Sequence, residues 1–364
     1  MRSDSILATI LTLILILTLN ASFAVAAAPS QSESGSENPL GKPSEKTASQ
    51  SDAVPASLMQ LPPASKYYSA YAFVVDKSAR TLAVWQQTGS GLKKVAEVPA
   101  DMGRNSGDKI SRGDAKTPEG IYFLQTRLDN PQLDYKVYGK RAFTSDYPNY
   151  FDRSEGKTGN GIWLHAVPDH VALTRGSSGC VVVRNEVILD LTQYIRLGRT
   201  PILIENKTDL ASQEEVAKTS EDLQKWIESW RTAWEAKNMD HYIDAYSPNF
   251  KSQHMNRAQW KAFKAHLGEQ YKQITVKLSR PTILTDRDRA VVRFLQEYTS
   301  DQHADFGEKV LYLKKEANGY RIVGEQWTEE TSQVAREEIE ATTRASATAA
   351  VSPGAESAKA ASAN

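Results

Sequence analysis

Residues 175–183 read RGSSGCVVV and contain Cys180, the single cysteine in a chain of 364 residues. Gly179 lets the backbone turn sharply in front of the cysteine, and the valines behind it can hold that turn in a sheet. Upstream, residues 161–165 read GIWLH, so a second strand-like run ends at His165. Two neighbouring strand ends can bring an imidazole against a thiol, the pairing that activates a cysteine nucleophile. Spacing alone leaves a second interpretation open, which is a buried and inert cysteine within a strand.

The overall composition is that of a globular protein with balanced charge. The chain carries 44 basic and 44 acidic side chains, which argues against a nucleic-acid-binding protein held by bulk charge. Hydrophobic residues make up 40% of the chain and there are seven tryptophans, enough for one or two packed cores. The length predicts about two domains. A single cysteine excludes an intramolecular disulfide, a cysteine-rich zinc module and an iron–sulfur cluster.

Two parts of the chain differ in the periodicity of their apolar residues. They predict two domains, one mostly β and one α+β. Residues 67–206 contain short β-branched or aromatic runs, with one helical pattern at Asn185–Leu197. Residues 216–330 open with an amphipathic helix at Glu221–Lys237. The strands predicted in the first part are Ala70–Val75, Thr81–Gln86, Lys94–Pro99, Gly120–Thr126, Gly161–His165, Gly179–Val183 and Thr200–Ile204. The second part adds helices at Met239–Tyr246 and Arg257–Leu267 and strands at Tyr271–Leu278, Ala290–Tyr298, Glu308–Lys315 and Tyr320–Thr328.

Residues 1–26 have the pattern of a secretory signal peptide. An apolar run from Ile6 to Leu19 precedes a small-x-small cleavage site that ends at Ala26. Cleavage there predicts an exported protein of the periplasm or cell envelope that is not an integral membrane protein, with an uncleaved N-terminal anchor as the alternative. Residues 27–66 and 331–364 are poor in large apolar side chains, and we predict a disordered linker and a disordered tail, with a helix through the first half of the tail as the alternative.

The segment around Cys180 resembles the signature of YkuD-type L,D-transpeptidase catalytic domains. That signature is a histidine at a strand end, a variable stretch, and then Ser/Thr-His-Gly-Cys. A second family-like segment, GDAKTPEGIY, lies at residues 113–122. The resemblance covers residues 67–206 and implies a YkuD-type β-sandwich with a helix. Three positions depart from the pattern: Ser178 replaces the histidine before Gly-Cys, Ala166 follows His165 where glycine or serine is common, and Val182 replaces a common arginine.

The resemblance implies a peptidoglycan-modifying cysteine enzyme, with Cys180 as nucleophile and His165 as its base. Ser177, Ser178 and Gly179 would support the oxyanion of the tetrahedral intermediate. The implied reaction releases D-Ala from a tetrapeptide stem and transfers the acyl group to an amine, as an L,D-transpeptidase does. One alternative is an L,D-carboxypeptidase, since the chain also resembles a subgroup from helical bacteria that trims tetrapeptides and shapes the cell. The other is a non-catalytic wall-binding scaffold. No cofactor and no metal are expected.

Basic side chains outnumber acidic ones in residues 67–206, which would suit a substrate that bears carboxylates. Ordinary solubility charge explains this excess equally well. We expect Arg175, Arg184 and Lys116 to be candidates for binding the substrate carboxylates. Tyr147 and Trp163 are candidates for lining the cleft, with core packing as the alternative.

The second part resembles the opening of a nuclear-transport-factor-2-like cone. Residues 234–246 read WEAKNMDHYIDAY and are followed by Phe250. The stripe of Trp226, Trp230 and Trp234 on the preceding helix is interpreted as its core-facing side. The histidines of this part show no metal-ligand spacing. We therefore predict a smaller α+β cone that binds a glycan or a protein partner and is not a second enzyme.

Overall fold

The computed structural model describes residues 53–252 and 255–351, with side chains described up to residue 345. The predicted signal peptide, residues 27–52 of the predicted linker and residues 352–364 of the predicted tail lie outside the described residues. In the described part of the chain, no helix is long and apolar enough to cross a membrane.

Residues 53–212 form mainly β-structure. In chain order the elements are β1 (Ala53–Pro55), β2 (Tyr71–Asp76), β3 (Thr81–Thr88), β4 (Gly91–Pro99), β5 (Gly120–Asp129), α1 (Tyr135–Tyr138), β6 (Arg141–Ser145), α2 (Tyr150–Ser154), β7 (Trp163–Val167), β8 (Val181–Arg184), α3 (Asn185–Leu191), β9 (Pro201–Glu205) and β10 (Leu210–Ser212). Eight of these strands form one mixed sheet in the order β4-β3-β2-β9-β5-β6-β7-β8, while β1 pairs with β10.

This sheet curls around a single core because β5 belongs to both of its halves. On one side β5 pairs with β9, and on the other it pairs with β6. A register shift between Leu124 and Arg127 marks an irregularity of the kind that bends a strand. Buried side chains from both halves, among them Phe73, Phe143 and Leu164, belong to one hydrophobic cluster. The first domain is therefore mostly β with one short helix on its core, as predicted.

Residues 213–351 form an α+β domain. In chain order the elements are α4 (Gln213–Glu235), α5 (Met239–Asp244), β11 (Lys251–Ser252), β12 (Met255–Asn256), α6 (Arg257–Gln270), β13 (Ile274–Leu278), β14 (Thr282–Asp286), β15 (Arg289–Ser300), β16 (Ala304–Glu316), β17 (Gly319–Glu329) and α7 (Gln333–Val351). Strands β13, β15, β16 and β17 are neighbours in an antiparallel sheet, and β14 also pairs with β15. Trp230 and Trp234 of α4 are buried against Phe294 of this sheet, whereas Trp226 is only partly buried at the edge of the cluster.

Several elements differ from the sequence-based expectations, among them β6, β14 and α4. Strands β6 and β14 were not predicted, since each is only five residues long and has no marked alternation. Helix α4 begins at Gln213, eight residues before the predicted start. Ser212 and Glu215 form a capping box, in which the Ser212 hydroxyl accepts from the Glu215 N–H at 3.2 Å and the Glu215 carboxylate accepts from the Ser212 N–H at 2.9 Å.

The predicted disordered linker is wrong for residues 53–66. Strand β1 pairs with β10, and Leu58 and Leu61 are almost fully buried. Both leucines belong to a cluster that contains side chains of each sheet, including Leu203 and Leu284. A few apolar residues in an otherwise polar segment fill the space between the two domains, and the average composition of the segment conceals them.

The predicted disordered tail is wrong for residues 333–351, which form α7. Ala335 and Ile339 are buried in a cluster with Tyr67, Tyr68 and Phe306. Alanine-rich sequence has high helix propensity, and here two apolar residues one turn apart supply the tertiary contact that a short helix needs.

Candidate active site

Two parallel strands place the cysteine beside the histidine. In the β7–β8 pair, His165 lies opposite Val182, so Cys180 enters β8 next to the strand that carries the imidazole. The Cys180 thiol donates a hydrogen bond to the Gly161 carbonyl at 3.4 Å, and the Trp163 N–H donates to the sulfur. The thiol is therefore held against the beginning of β7.

Two hydrogen bonds of the Ser177 hydroxyl stabilise the loop that leads into Cys180. The Ser177 hydroxyl donates to the Cys180 carbonyl at 2.7 Å and accepts from the Gly179 N–H at 3.0 Å. Gly179 has a φ of +134°, and a Cβ at this position would lie 2.6 Å from the Lys116 carbonyl oxygen. Only glycine permits so close a backbone approach. The segment at 113–122 and the cysteine segment therefore meet at this point.

A buried carboxylate, Asp101, holds the other side of this loop. It accepts hydrogen bonds from the Gly176 N–H at 2.6 Å and the Met102 N–H at 2.9 Å, and it forms an ion pair with Arg80. The backbone of Asp101 also exchanges two hydrogen bonds with Val182 of β8. Asp101 thus fixes both ends of the cysteine loop, and we regard it as a positioning residue.

His165 is held as a neutral imidazole. Its side chain is buried, and Nδ1 lies 2.6 Å from the Ala166 carbonyl oxygen, a contact that places the proton on Nδ1 and leaves Nε2 as the acceptor. The Tyr138 ring packs edge-on against the imidazole, with 5.1 Å between ring centroids. Burial lowers the pKa of His165 to about 4, and the positive charge of Arg175 also lowers it.

Burial raises the pKa of the Cys180 thiol, although the Trp163 N–H and the charge of Lys109 act in the opposite direction. The resting pair is therefore a thiol and a neutral imidazole, not a thiolate and an imidazolium. A neutral imidazole whose Nε2 is unprotonated has the protonation state that a general base requires.

The thiol opens into a cavity of about 640 Å³. Four cationic side chains line it, and none of the lining residues is acidic. The lining residues include Arg104, Lys109, Arg112, Val137, Tyr138, Asn160, Ile162, His165, Arg175, Ser177, Ser178 and Cys180. Among the side chains that the structure describes, no three His, Cys, Asp or Glu groups are placed to share a metal ion.

The predicted site residues separate into two groups. Cys180, His165, Ser177, Ser178 and Arg175 all line this cavity, and Gly179 shapes the loop between them. The structure places the others elsewhere.

Arg184 lies outside the cavity lining and donates to the Val171 carbonyl at 2.6 Å. The backbone carbonyl of Lys116 packs against Gly179 of the cysteine loop, and the Lys116 side chain is not part of the cavity wall. Tyr147 is buried, with its hydroxyl bonded to the Thr158 carbonyl at 3.1 Å. These positions correct the expectation that the three side chains contact substrate.

Trp163 also lies outside the cavity lining, and its ring packs on Tyr138 with 4.9 Å between centroids. It therefore supports the cavity wall from behind and does not line the cleft. Sequence reasoning missed Asp101, Arg104, Arg112 and Tyr138. None of them stands within the cysteine or histidine segments, and only long-range strand pairing brings them to the thiol.

A second and larger cavity, of about 980 Å³, lies in the C-terminal domain. Aromatic side chains and three lysines dominate its wall, and Tyr150 and Arg153 of α2 contribute from the first domain. Its lining includes Trp230, Trp234, Trp260, Lys264, Tyr298, Lys309, Glu325 and Trp327. The cavity is separate from the thiol, since no residue lines both.

Comparison with protein families gives two matches. An L,D-transpeptidase catalytic domain model matches residues 70–204, and a Cds6 C-terminal NTF2-like domain model matches residues 222–326. Both resemblances noted in the sequence are thereby confirmed.

Among solved structures, Bd1075 of Bdellovibrio bacteriovorus is 45% identical, with a TM-score of 0.71, and the match covers 77% of this chain and 100% of that chain. The helical cell shape determining protein Pgp2 of Campylobacter jejuni is 26% identical, with a TM-score of 0.60, over 71% of this chain and 92% of its own. Among curated proteins, YafK of Escherichia coli (strain K12) is 27% identical over 126 residues, which is 33% of this chain. The chain matches only 45% of the length of that curated relative.

Proposed function

The chain belongs to the YkuD-type L,D-transpeptidase family, and on this premise we propose that it is a cysteine enzyme that releases the terminal D-Ala from peptidoglycan tetrapeptide stems. The observation that carries the proposal is that the Cys180 thiol and the neutral imidazole of His165, from adjacent parallel strands, line the same open cavity. An inert structural cysteine needs neither a neighbouring proton acceptor nor access to a cavity.

The mechanism follows from these groups. His165 Nε2 takes the thiol proton while Cys180 Sγ attacks the carbonyl between the L-centre of diaminopimelate and D-Ala. The tetrahedral intermediate then collapses, the C–N bond breaks, and the imidazolium gives its proton to the departing amine of D-Ala. A thioester on Cys180 remains.

The oxyanion of the tetrahedral intermediate requires backbone donors near the sulfur. The Gly179 N–H is already donated to Ser177. We therefore assign the oxyanion hole to the Cys180 N–H with the Ser178 N–H, and we assign to Ser177 and Gly179 the shaping of the loop.

We propose water as the acceptor that resolves the thioester, which makes the protein an L,D-carboxypeptidase. This is favoured by the match of both domains to a protein described as determining helical cell shape. Transfer to an amine, an L,D-transpeptidase reaction, is the second candidate and is favoured by the family to which the catalytic domain belongs. A non-catalytic scaffold is disfavoured by the retained thiol and imidazole.

The proposed setting is the periplasm or cell envelope, where peptidoglycan stems occur. We propose that the C-terminal domain is a binding module, with a glycan or a protein partner as the class of ligand. Its aromatic and cationic cavity is the basis of this proposal, because aromatic faces and charged groups together suit polar ligands with apolar faces.

The test is incubation of the purified protein with disaccharide-tetrapeptide, alone and with an added D-amino acid, and analysis of the products by mass. Tripeptide alone supports the carboxypeptidase, and an exchanged or cross-linked product supports the transpeptidase. Cys180→Ala is the control for both. Absence of any product from the wild-type protein would refute both enzyme proposals and leave the scaffold.

A further inference from the structure

The cavity at the thiol has an uncompensated positive charge. Of its four cationic side chains, Lys109 is buried and its charge is compensated. Its ammonium pairs with Asp114 at 2.7 Å and donates to the Ser111 carbonyl at 3.1 Å. Arg104, Arg112 and Arg175 differ from it. They are exposed, and within residues 53–252 and 255–345 none of their guanidinium groups makes an ion pair or a hydrogen bond.

Two of these arginines flank Gly176 of the cysteine loop. The Arg104 backbone N–H donates to the Ser177 carbonyl at 3.0 Å, and its side chain lies over Gly176, where a Cβ would approach Arg104 Cγ to 2.5 Å. Arg175 directly precedes Gly176 and is close enough to His165 to affect its pKa. Arg112, in contrast, lies next to Gly159 on the other side of the cavity.

We propose that Arg104 and Arg175, which we call the arginine pair, bind the free carboxylate of the D-Ala residue that leaves. This inference rests on the proposed function and names the stem that the site selects. It predicts that the enzyme acts on stems whose terminal D-Ala has a free carboxylate, and discriminates against stems in which that carboxylate is an amide, as in a cross-link through D-Ala.

The position of the pair fits this role. The D-Ala carboxylate is separated from the scissile carbonyl only by the D-Ala nitrogen and Cα, so its receptor must lie within a few ångströms of the sulfur. Arg175 belongs to the loop that ends in Cys180 and Arg104 packs on that loop, whereas Arg184 and Lys116 do not reach the cavity wall. Guanidinium groups also match the planar two-oxygen geometry of a carboxylate.

Close packing of the pair against the loop also explains Gly176. This residue has a φ of +78°, which favours glycine, and its missing side chain leaves the space that the Arg104 side chain occupies. Arg104 and Arg175 thereby both line the cavity beside Gly176, with no acidic residue in the lining, and this excess of positive charge favours an anion there.

The experiment compares two substrates and three variants of the full chain. The substrates are disaccharide-tetrapeptides that end in D-Ala carboxylate or in D-Ala carboxamide. The variants are Arg104→Gln, Arg175→Gln and Arg127→Gln. Arg127 is a surface residue of the same domain, paired with Asp129 outside the cavity, so Arg127→Gln is a matched control for the loss of one positive charge.

We expect Arg104→Gln and Arg175→Gln to lower kcat/KM for the acid substrate by about 10- to 100-fold each, mainly through KM, because each loses a charged hydrogen bond. The wild-type protein should process the amide more slowly than the acid, and the two variants should lower the rate on the amide by a smaller factor than the rate on the acid. An equal fall on both substrates would indicate a structural role and would overturn the inference, as would no fall on either.

Ligand binding separates this inference from the proposed function. In a Cys180→Ala background, the Kd for the acid tetrapeptide should be lower than that for the amide, and Arg175→Gln should remove the difference. If the wild-type protein shows no turnover but this difference in Kd is present, the proposed enzymatic function is wrong and the arginine pair still binds the carboxylate. If turnover is present and the difference in Kd is absent, carboxylate binding by the arginine pair is refuted and the proposed enzymatic function is not.

Discussion

Substitution of Gly179 by alanine tests the geometry that places the nucleophile. The new Cβ would lie 2.6 Å from the Lys116 carbonyl oxygen, where an ordinary contact is 3.4 Å, so the loop must move by about 3.4 − 2.6 = 0.8 Å. A misplacement of about 1 Å costs on the order of 100-fold in rate. Strain from the φ of +134° adds about 1–3 kcal/mol and the steric overlap about 1–3 kcal/mol. We therefore expect kcat to fall by about 100-fold and the free energy of unfolding to fall by about 2–6 kcal/mol.

The assay is D-Ala release together with urea unfolding followed by circular dichroism. Gly198→Ala is the matched control, because Gly198 also has a positive φ, of +73°, but a Cβ there meets nothing within 4 Å. That variant should lose about 1 kcal/mol from backbone strain and keep its kcat. If Gly179→Ala retains the turnover of the control, the close packing of the two motifs does not position Cys180, and the reasoning is wrong.

Four other predictions concern the imidazole and the segment between the domains. Because the pKa of His165 is lowered to about 4, kcat/KM should stay level down to about pH 5 and fall by half near pH 4; a midpoint near 6.5 would show that the imidazole is solvated. The same depression means that the unfolded state takes up a proton below about pH 6.5 while the folded state does not, so the free energy of unfolding should fall between about pH 6.5 and pH 4, as titration of urea midpoints would show. Tyr138→Ala should let water reach the imidazole and move the acid limb of the rate profile towards pH 6.5, whereas Tyr138→Phe should not move it; identical profiles for both variants would remove Tyr138 from this role. Leu58→Ala should lower the free energy of unfolding by about 2–5 kcal/mol, and an unchanged value would restore the disordered linker at that position.

The sequence allowed Cys180 and His165 to be predicted on neighbouring strands because each residue adjoins an apolar run. Parallel strands β7 and β8 are adjacent and both residues line one cavity, although His165 lies within β7 and not at its end. The amphipathic pattern of α4 likewise predicted which tryptophans face the core.

The residues that the sequence concealed depend on contacts distant in the chain. Asp101 follows a strand edge with no local partner, and its hydrogen bond to Gly176 spans 75 positions. Arg104 looks like an ordinary surface arginine until the loop that carries it crosses the cysteine loop. Leu58 and Leu61 were overlooked for a different reason: averaging over a segment rich in serine and proline hides single apolar residues, although each is almost fully buried.

The central claim is that Cys180 acts as a nucleophile on the stem peptide. Rapid mixing of the protein with excess disaccharide-tetrapeptide, followed by acid quenching and measurement of released D-Ala and of the protein mass, tests it most directly. The account predicts D-Ala release by the wild-type protein, a mass increase equal to the stem without D-Ala while the thioester is present, and neither from Cys180→Ala. Release of D-Ala by Cys180→Ala at the wild-type rate would contradict it.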